Sequence, residues 1–292
     1  MRVHFCGVRG STPAPGIEFA RYGGNTPCLA LAHDGDPRPS LILDAGTGLQ
    51  RVSALMAGEA YDGTILLTHL HWDHVTGLPF YGAGDDPRAR VDVLLPAQQS
   101  GAPASDVLAG MMSPPYFPIG PDGLRGTWSF GSIEPGPQEI EGFTVLAREI
   151  PHKGGRTFGY RIGDGHASIA YMPDHCPTAL GPGEDGLGEY HPAAVELARD
   201  VDILIHDAQL LGPEQAREAA FGHAFADYAV ALGARAGARE VVLFHHGHTR
   251  TDEELDGLAL RFEDDGAGGQ DEGGERDGPR VSVAREGTVT EL

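Results

Sequence analysis

Between residues 69 and 74 the chain reads His-Leu-His-Trp-Asp-His, so four side chains able to bind a metal, His69, His71, Asp73 and His74, fall within six positions. Side chains at i and i+2 of an extended segment point the same way, so His69 and His71 can offer two imidazoles to one ion. Asp73 and His74 follow where the chain turns, and more naturally serve a second ion than crowd the first. Imidazole nitrogen and carboxylate oxygen without thiolate suit zinc, the default, and equally manganese or iron. The cluster directly follows the apolar run Ile65-Leu66-Leu67, which reads as a buried strand. Polar groups placed at the end of such a strand need compensation, and a bound cation would supply it.

The elements that must position this cluster are short. Residues 2 to 8, 27 to 32, 40 to 44 and 64 to 67 read as strands separated by Gly, Pro and Asp clusters, the spacing expected of an antiparallel-rich sheet rather than of repeated βαβ units. Further strands are expected at 91 to 95, 143 to 148, 158 to 162, 167 to 171, 201 to 205 and 240 to 244. Helical spacing marks residues 47 to 57, 191 to 199 and 224 to 236, with His223 just before the last. Residues 101 to 127 carry Met111-Met112-Ser113-Pro114-Pro115-Tyr116-Phe117-Pro118, too rich in proline for one regular element. That stretch is a candidate lid or pocket wall, or else a surface crossover whose aromatics cap the core. Residues 263 to 280 are glycine-rich and acidic and are expected to stay mobile, with Val281-Ser282-Val283-Ala284 returning as a last strand. The whole chain, 1 to 292, then reads as one domain with an acidic insertion.

Composition narrows the function. With 40% apolar residues among 292, the chain can bury a substantial core. No stretch approaches the roughly 20 apolar residues that span a bilayer. Met1 to Phe5 run straight into a strand pattern with no apolar leader, which points to the cytoplasm. Cys6, Cys28 and Cys176 lack C-x-x-C spacing, so neither a disulfide framework nor a thiolate zinc site is expected. The formal charge of -21, from 42 acidic and 21 basic residues, argues against broad contact with a phosphate backbone and for a small substrate.

The His69-x-His71-x-Asp73-His74 motif resembles the signature of the metallo-β-lactamase superfamily. That resemblance implies an α/β fold, a four-layer αββα sandwich with its metals at one edge. Leu41-Ile42-Leu43-Asp44-Ala45-Gly46-Thr47-Gly48 is similar to the family strand whose terminal aspartate supports the metal loop. Asp44 would then orient a ligand histidine or the loop backbone, a role compatible with capping the helix at 47 to 57. By the same resemblance, His152 in Ile150-Pro151-His152-Lys153-Gly154-Gly155 is the third histidine of the first ion. Asp174, after Ala170-Tyr171-Met172-Pro173, is the carboxylate that bridges both. The family's last ligand falls at the end of Val241-Val242-Leu243-Phe244-His245-His246, where His245 matches better than His246, with His246 and His248 left as contacts to substrate or solvent.

Leu204-Ile205-His206-Asp207-Ala208 and Gly222-His223-Ala224-Phe225 resemble the phosphodiesterase branch, which includes the tRNA 3′-processing endonucleases and small cyclic-phosphate phosphodiesterases. So do Gly7-Val8-Arg9-Gly10-Ser11-Thr12-Pro13 and Tyr22-Gly23-Gly24-Asn25-Thr26. The resemblance implies a hydrolase holding two divalent metal ions that cleaves a small phosphodiester, cyclic or linear, with Asp73, Asp207 and His223 as its catalytic residues. His223, held by Asp207, would protonate the leaving alkoxide, while as a residue type it equally fits a cap for the helix at 224 to 236. Thioester or lactone opening on the same site, and a di-iron redox or sensor protein, are the competing readings. No long basic arm is present, so extended nucleic-acid binding and membrane association are not expected, whereas a homodimer, common in this superfamily, is compatible.

Overall fold

In the computed structural model, which describes residues 1–212, 221–267 and 278–292, two mixed sheets pack face to face. The first contains β1 (Arg2–Gly7), β2 (Cys28–Ala32), β3 (Leu41–Leu43), β4 (Asp62–Leu66), β5 (Arg90–Pro96) and β6 (Thr127–Ile133) in sequence order. The second contains β7 (Gly136–Ile140), β8 (Phe143–Glu149), β9 (Phe158–Gly163), β10 (Ser168–Met172), β11 (Ile203–Asp207), β12 (Glu240–Phe244) and β13 (Arg280–Val283). A final strand, β14 (Val289–Glu291), returns to the first sheet and pairs with β1.

Each sheet begins antiparallel and ends parallel. β1 to β3 pair antiparallel, whereas β3, β4, β5 and β6 pair parallel. Likewise β7 to β10 pair antiparallel, and β10 to β13 parallel. The expectation of an antiparallel-rich sheet therefore holds for the opening strands and fails from β3 onward, where α1 (Leu49–Leu55) makes the crossover that parallel pairing requires.

Alternation along the strands explains the layers. Leu41, Leu43 and Leu66 join Val3, Phe5, Leu29 and Leu31 in a core shared with Val145, Tyr160, Ile169, Tyr171, Ile205 and Phe244 of the facing sheet. Ile42 and Ile65 point the other way, to pack with Leu49, Val52 and Leu108 beneath α1 and α3 (Ala104–Ala109). On the far side Met172, Leu204 and Leu243 meet Leu197, Leu232 and Leu255 from α4 (Pro192–Ala198), α5 (Ala226–Ala236) and α6 (Asp252–Ala267). Strands buried on both faces read as continuous apolar runs such as Leu41-Ile42-Leu43, and the result is the expected αββα arrangement.

α6 was not anticipated from the sequence, although its signals are present. Thr251 and Glu254 form a reciprocal cap, the Glu254 carboxylate accepting from Thr251 N at 2.7 Å and the Thr251 hydroxyl from Glu254 N at 3.3 Å. Leu255, Leu258 and Phe262 follow at helical spacing on the buried face. The expected acidic insertion at 263 to 280 is thus helical backbone through 267, and β13 begins at Arg280; residues 268 to 277, where mobility was expected, lie outside the described residues.

Candidate metal centre

Five strands deliver the site from their C-terminal ends: β3 into Asp44, β4 into the loop carrying His69 and His71, β10 into Asp174, β11 into Asp207 and β12 into His245. In each sheet these strands run parallel, so their ends reach one edge of the sandwich together. The remaining residues enter from beside it: Asp73 and His74 on the single turn α2 (Trp72–Val75), His152 between β8 and β9, and His223 ahead of α5. All the sequence-predicted site residues converge here.

Among the described residues they form four overlapping groups, of which His69, His74 and Asp174 make one and Asp174, Asp207, His223 and His245 another. One nitrogen from each of His69, His71 and His152 makes a third, and one atom from each of Asp73, His74 and His245 the fourth, with the atoms of each group within 4.8 Å of one another. Asp174 lies between these last two, one oxygen 3.1 Å from His69 Nε2 and 2.7 Å from His74 Nε2, the other 3.2 Å from His245 Nε2.

The side chains present fit cations. His152 Nδ1 donates to the Gly222 carbonyl at 2.7 Å, which leaves its Nε2 facing His71 Nδ1 at 3.2 Å. His74 Nδ1 donates to Asp44 at 2.9 Å, so its Nε2 confronts the Asp174 and Asp73 carboxylates. Among the described residues, buried His69 Nε2 and Asp174 Oδ1 have no hydrogen-bond partner, and His74 Nε2 is pressed between two carboxylates. Buried polar atoms are almost always satisfied, so this knot of lone pairs calls for a positive charge in its midst.

The electrostatics agree. Burial pulls the His69, His71 and His152 imidazoles below their ordinary value, with neighbouring histidines adding to the effect, and so keeps them neutral as ligation requires. His74 goes the other way: burial would lower it, but Asp73, Asp174 and Asp44 together hold it well above the usual histidine range. Against the cost of burial, the surrounding histidines keep Asp73 and Asp174 ionised far below the ordinary carboxylate range.

Supporting contacts fix these side chains. Fully buried Asp44 accepts from His74 Nδ1, from the Thr68 amide at 2.7 Å and from Tyr171 Oη at 2.9 Å. Asp44 thus holds the His74 ring and the backbone of the loop after β4, and α1 carries no side-chain cap. Tyr171, read from the sequence only as strand core, is the missed member of this set. Asp73 accepts from the Ser11 amide at 2.7 Å; a backbone donor leaves no trace in residue type. Ser11, Asp44 and His245 all adopt left-handed backbone, with φ of 67°, 59° and 59°. Non-glycine residues hold that conformation only where their surroundings over-determine it, and three of them meet at this one site.

Asp207 is also fully buried. It accepts from His223 Nδ1 at 3.0 Å, and from the amides of Gln209 at 3.0 Å, His175 at 3.1 Å and Ala224 at 3.2 Å. Burial opposes protonation of His223, but Asp207 and Asp174, 3.2 Å from the same nitrogen, raise it well above the ordinary range. His223 lines a cavity of about 590 Å³ beside Asp73, Asp174, His71 and His248. His206 is buried with its Nδ1 donating to the Asp207 carbonyl, and His246 donates to the Ala284 carbonyl away from the cluster. Arg156 pairs with Glu149 at 3.0 Å and Glu134 at 3.3 Å, outside the cavity lining.

A β-lactamase superfamily domain is matched over residues 40–246, which spans β3 through the end of β12 and every residue of the cluster. The chain belongs to the β-lactamase superfamily. Within it, the ribonuclease Z of Natronomonas pharaonis is 25% identical over 284 residues, covering 84% of this chain and 86% of that protein. Among solved structures the metallo-β-lactamase fold protein YhfI from Bacillus subtilis superposes with a TM-score of 0.69 at 17% identity, over 99% of each chain. The short form of human tRNase Z superposes with a TM-score of 0.64 at 17% identity, over 100% of this chain and 99% of that one. The superfamily that the His69-x-His71-x-Asp73-His74 motif resembled is thus the one to which the chain belongs, and ribonucleases Z are among the proteins it is similar to.

Proposed function

We propose that this protein is a metal-dependent hydrolase that cleaves a small phosphodiester. His69, His71 and His152 would hold one divalent cation, Asp73, His74 and His245 a second, and Asp174 both, with zinc the metal that the nitrogen and oxygen donor set suits by default. The observation that carries the reading is the pairing of this donor set with a second unit that hydrolysis of a phosphodiester needs: His223, held at 3.0 Å by buried Asp207 on the wall of the same cavity. When bound, paired cations supply charge to the phosphoryl oxygens and a water ionised near neutral pH.

The chain's own residues do the rest. Asp44 fixes the tautomer of His74 by taking its Nδ1 proton in a hydrogen bond. Asp207 likewise accepts from His223 Nδ1, and its charge, with that of Asp174, favours the doubly protonated imidazolium, whose second proton, on the other ring nitrogen, would pass to the leaving alkoxide. Thioester and lactone opening would not require that acid. The name ribonuclease Z on a relative matched over most of its length supports phosphodiester chemistry, and it stands in partial tension with the small substrate that a net charge of -21 favours. Among the described residues no helix is long and apolar enough to cross a membrane.

The test is elemental analysis of the purified protein together with turnover of bis(p-nitrophenyl) phosphate, a cyclic phosphodiester, a precursor tRNA and a thioester. Metal near two equivalents with turnover of the small diesters is the expected result. Faster turnover of the thioester would overturn the reaction assigned, and preference for the precursor tRNA would overturn the substrate size.

A further inference from the structure

Gln209 follows β11 by two residues and closes one side of the metal cavity, with Ser11, Gly247 and His248 also in the lining. It is only 9% exposed, and its backbone amide donates to Asp207 at 3.0 Å. Its side-chain oxygen accepts from the Ser11 hydroxyl at 3.3 Å. The side-chain nitrogen meets no acceptor among the described residues and remains open to the cavity. The neighbourhood of His245 decides which end of the amide faces which way. A Cβ built on Gly10 would lie 2.4 Å from His245 Nδ1 and 2.5 Å from Gln209 Oε1, so both atoms border the same small space. His245 Nε2 is turned to Asp73 and Asp174, each at 3.2 Å, so in the cation-bound form proposed above the ring proton is on buried Nδ1. Toward that N–H the amide presents its oxygen, and the two N–H bonds of Nε2 are directed away from it, to the cavity.

A donor already immobilised in this way loses little freedom when a ligand oxygen reaches it. The cavity wall is sparing with cationic donors: among the described residues its one basic side chain is Arg250, whose guanidinium lies 3.9 Å from Glu254. We infer that Gln209 Nε2 is a substrate contact, donating to a non-bridging oxygen of the bound phosphodiester on the His245 side of the cavity. This rests on the phosphodiester reading above and adds a residue that reads the reacting group itself. The position calls for an oxygen of the phosphoryl group because Ser11, which holds the Gln209 amide, also holds Asp73 through its own backbone N–H at 2.7 Å. The amide is therefore set against the ligand cluster rather than out where an ester arm would lie. A hydrogen bond to an ionised oxygen strengthens as charge builds on it. An uncharged donor also neither repels a cation nor draws a carboxylate away from one, as an arginine in the same place would.

The experiment turns on a substrate chiral at phosphorus. Thymidine 5′-p-nitrophenyl phosphorothioate exists as two diastereomers, only one of which places sulfur, a poor hydrogen-bond acceptor, opposite Gln209. Gln209→Met keeps the volume and removes the donor. In the metal-loaded protein it should lower kcat/KM for the all-oxygen ester about 10- to 100-fold, as loss of a bond to a charged acceptor does. It should also change the ratio of the two diastereomers at least several-fold while the metal content stays at the wild-type value. Gln209→Glu, of the same shape but charged, should lower kcat/KM further, and carries the test by the same ratio should Gln209→Met not fold. An unchanged kcat/KM for the all-oxygen ester, or an equal loss on all three esters, would overturn the contact. Loss of metal in step with activity would overturn it too, and make Gln209 a support of His245 instead. If the wild type hydrolyses none of the esters, the phosphodiester reading fails, and the contact is judged by binding of inorganic phosphate to the metal-loaded protein. Binding several-fold tighter in the wild type than in Gln209→Met would uphold a donor to phosphoryl oxygen, and equal binding would refute it.

Discussion

Asp44 Oδ2 accepts the Nδ1 proton of His74 at 2.9 Å, both side chains being wholly buried, and through that bond the end of β3 decides which nitrogen of His74 faces the centre. The same carboxylate ties the Thr68 amide and the Tyr171 hydroxyl, so the loop after β4 and the strand β10 are held to one anchor. Asp44→Asn keeps the shape but removes the charge. Metal affinity in that variant should fall about 10–100-fold, as expected for a group one step behind the ligands. Asp44→Ala should in addition lower stability by about 3–5 kcal/mol, since it strands buried donors. Metal titration alongside denaturant unfolding separates the two effects; unchanged affinity in both variants would remove Asp44 from the support of the site.

His223 is held through Nδ1 by Asp207, whose carboxylate is otherwise engaged by the amides of Gln209, His175 and Ala224. If its role is to give a proton, His223→Ala should reduce turnover of a poor leaving group by about 10²–10⁴-fold. It should reduce turnover of a nitrophenyl ester far less, because nitrophenolate departs without protonation. Metal content should stay near the wild-type value. Loss of metal in step with activity would make His223 a ligand, a possibility its place within 4.8 Å of Asp174 and His245 atoms keeps chemically reasonable.

The parts of this centre legible in the sequence were those that concentrate unusual residues in one place. His69, His71, Asp73 and His74 announce themselves by spacing, whereas His152, Asp174 and His245 fall in three separate places, the last two beside further histidines, and become recognisable only through the strand that precedes them. Contacts made by backbone, such as the Ser11 amide to Asp73, or by a residue also needed for the core, such as Tyr171, carry no signal of their own. In the fold, buried strands were found because both faces are apolar. The edge strand β7, reading Gly-Pro-Gln-Glu-Ile, was missed because its Gly and Pro resemble a turn; Pro is tolerated at an edge, where one side of the ladder is unpaired. The pattern for α6 was present in Thr251-x-x-Glu254 and Leu255, Leu258 and Phe262, but its acidic, glycine-bearing sequence masked it.

Gly10 passes so close to the centre that a Cβ there would overlap His245 Nδ1 and Gln209 Oε1, both buried. His245 sits in left-handed backbone with φ of 59° and has no room to retreat along the strand end. Gly10→Ala should therefore move the His245 ring, weakening the cation proposed for Asp73, His74 and His245 more than the one proposed for His69, His71 and His152. Metal titration should show one site lost or weakened at least tenfold and the other nearly unchanged. Simultaneous loss of both would mean that the two positions are filled as one unit.

Away from the centre, acid stability has an identifiable contributor in Asp164, which closes the turn between β9 and β10. Its carboxylate accepts from the amides of His166 and Ala167, each at 2.9 Å. Burial alone would raise its pKa, but those amide bonds, together with the Met1 ammonium 3.0 Å from the carboxylate, outweigh it and hold the group down at about 2. A carboxylate depressed in the folded state stabilises the fold above its ordinary value near 3.8, and that contribution disappears as pH falls through about 2. Asp164→Asn should lower the melting temperature at pH 7 and flatten its decline between about pH 4 and pH 2, because the variant has no proton to take up there. The comparison is best made on metal-free protein, so that protonation of the histidine cluster does not release a ligand in the same range. Parallel melting curves for wild type and variant across that interval would show that the turn's amides do not discriminate between the charged and neutral side chain.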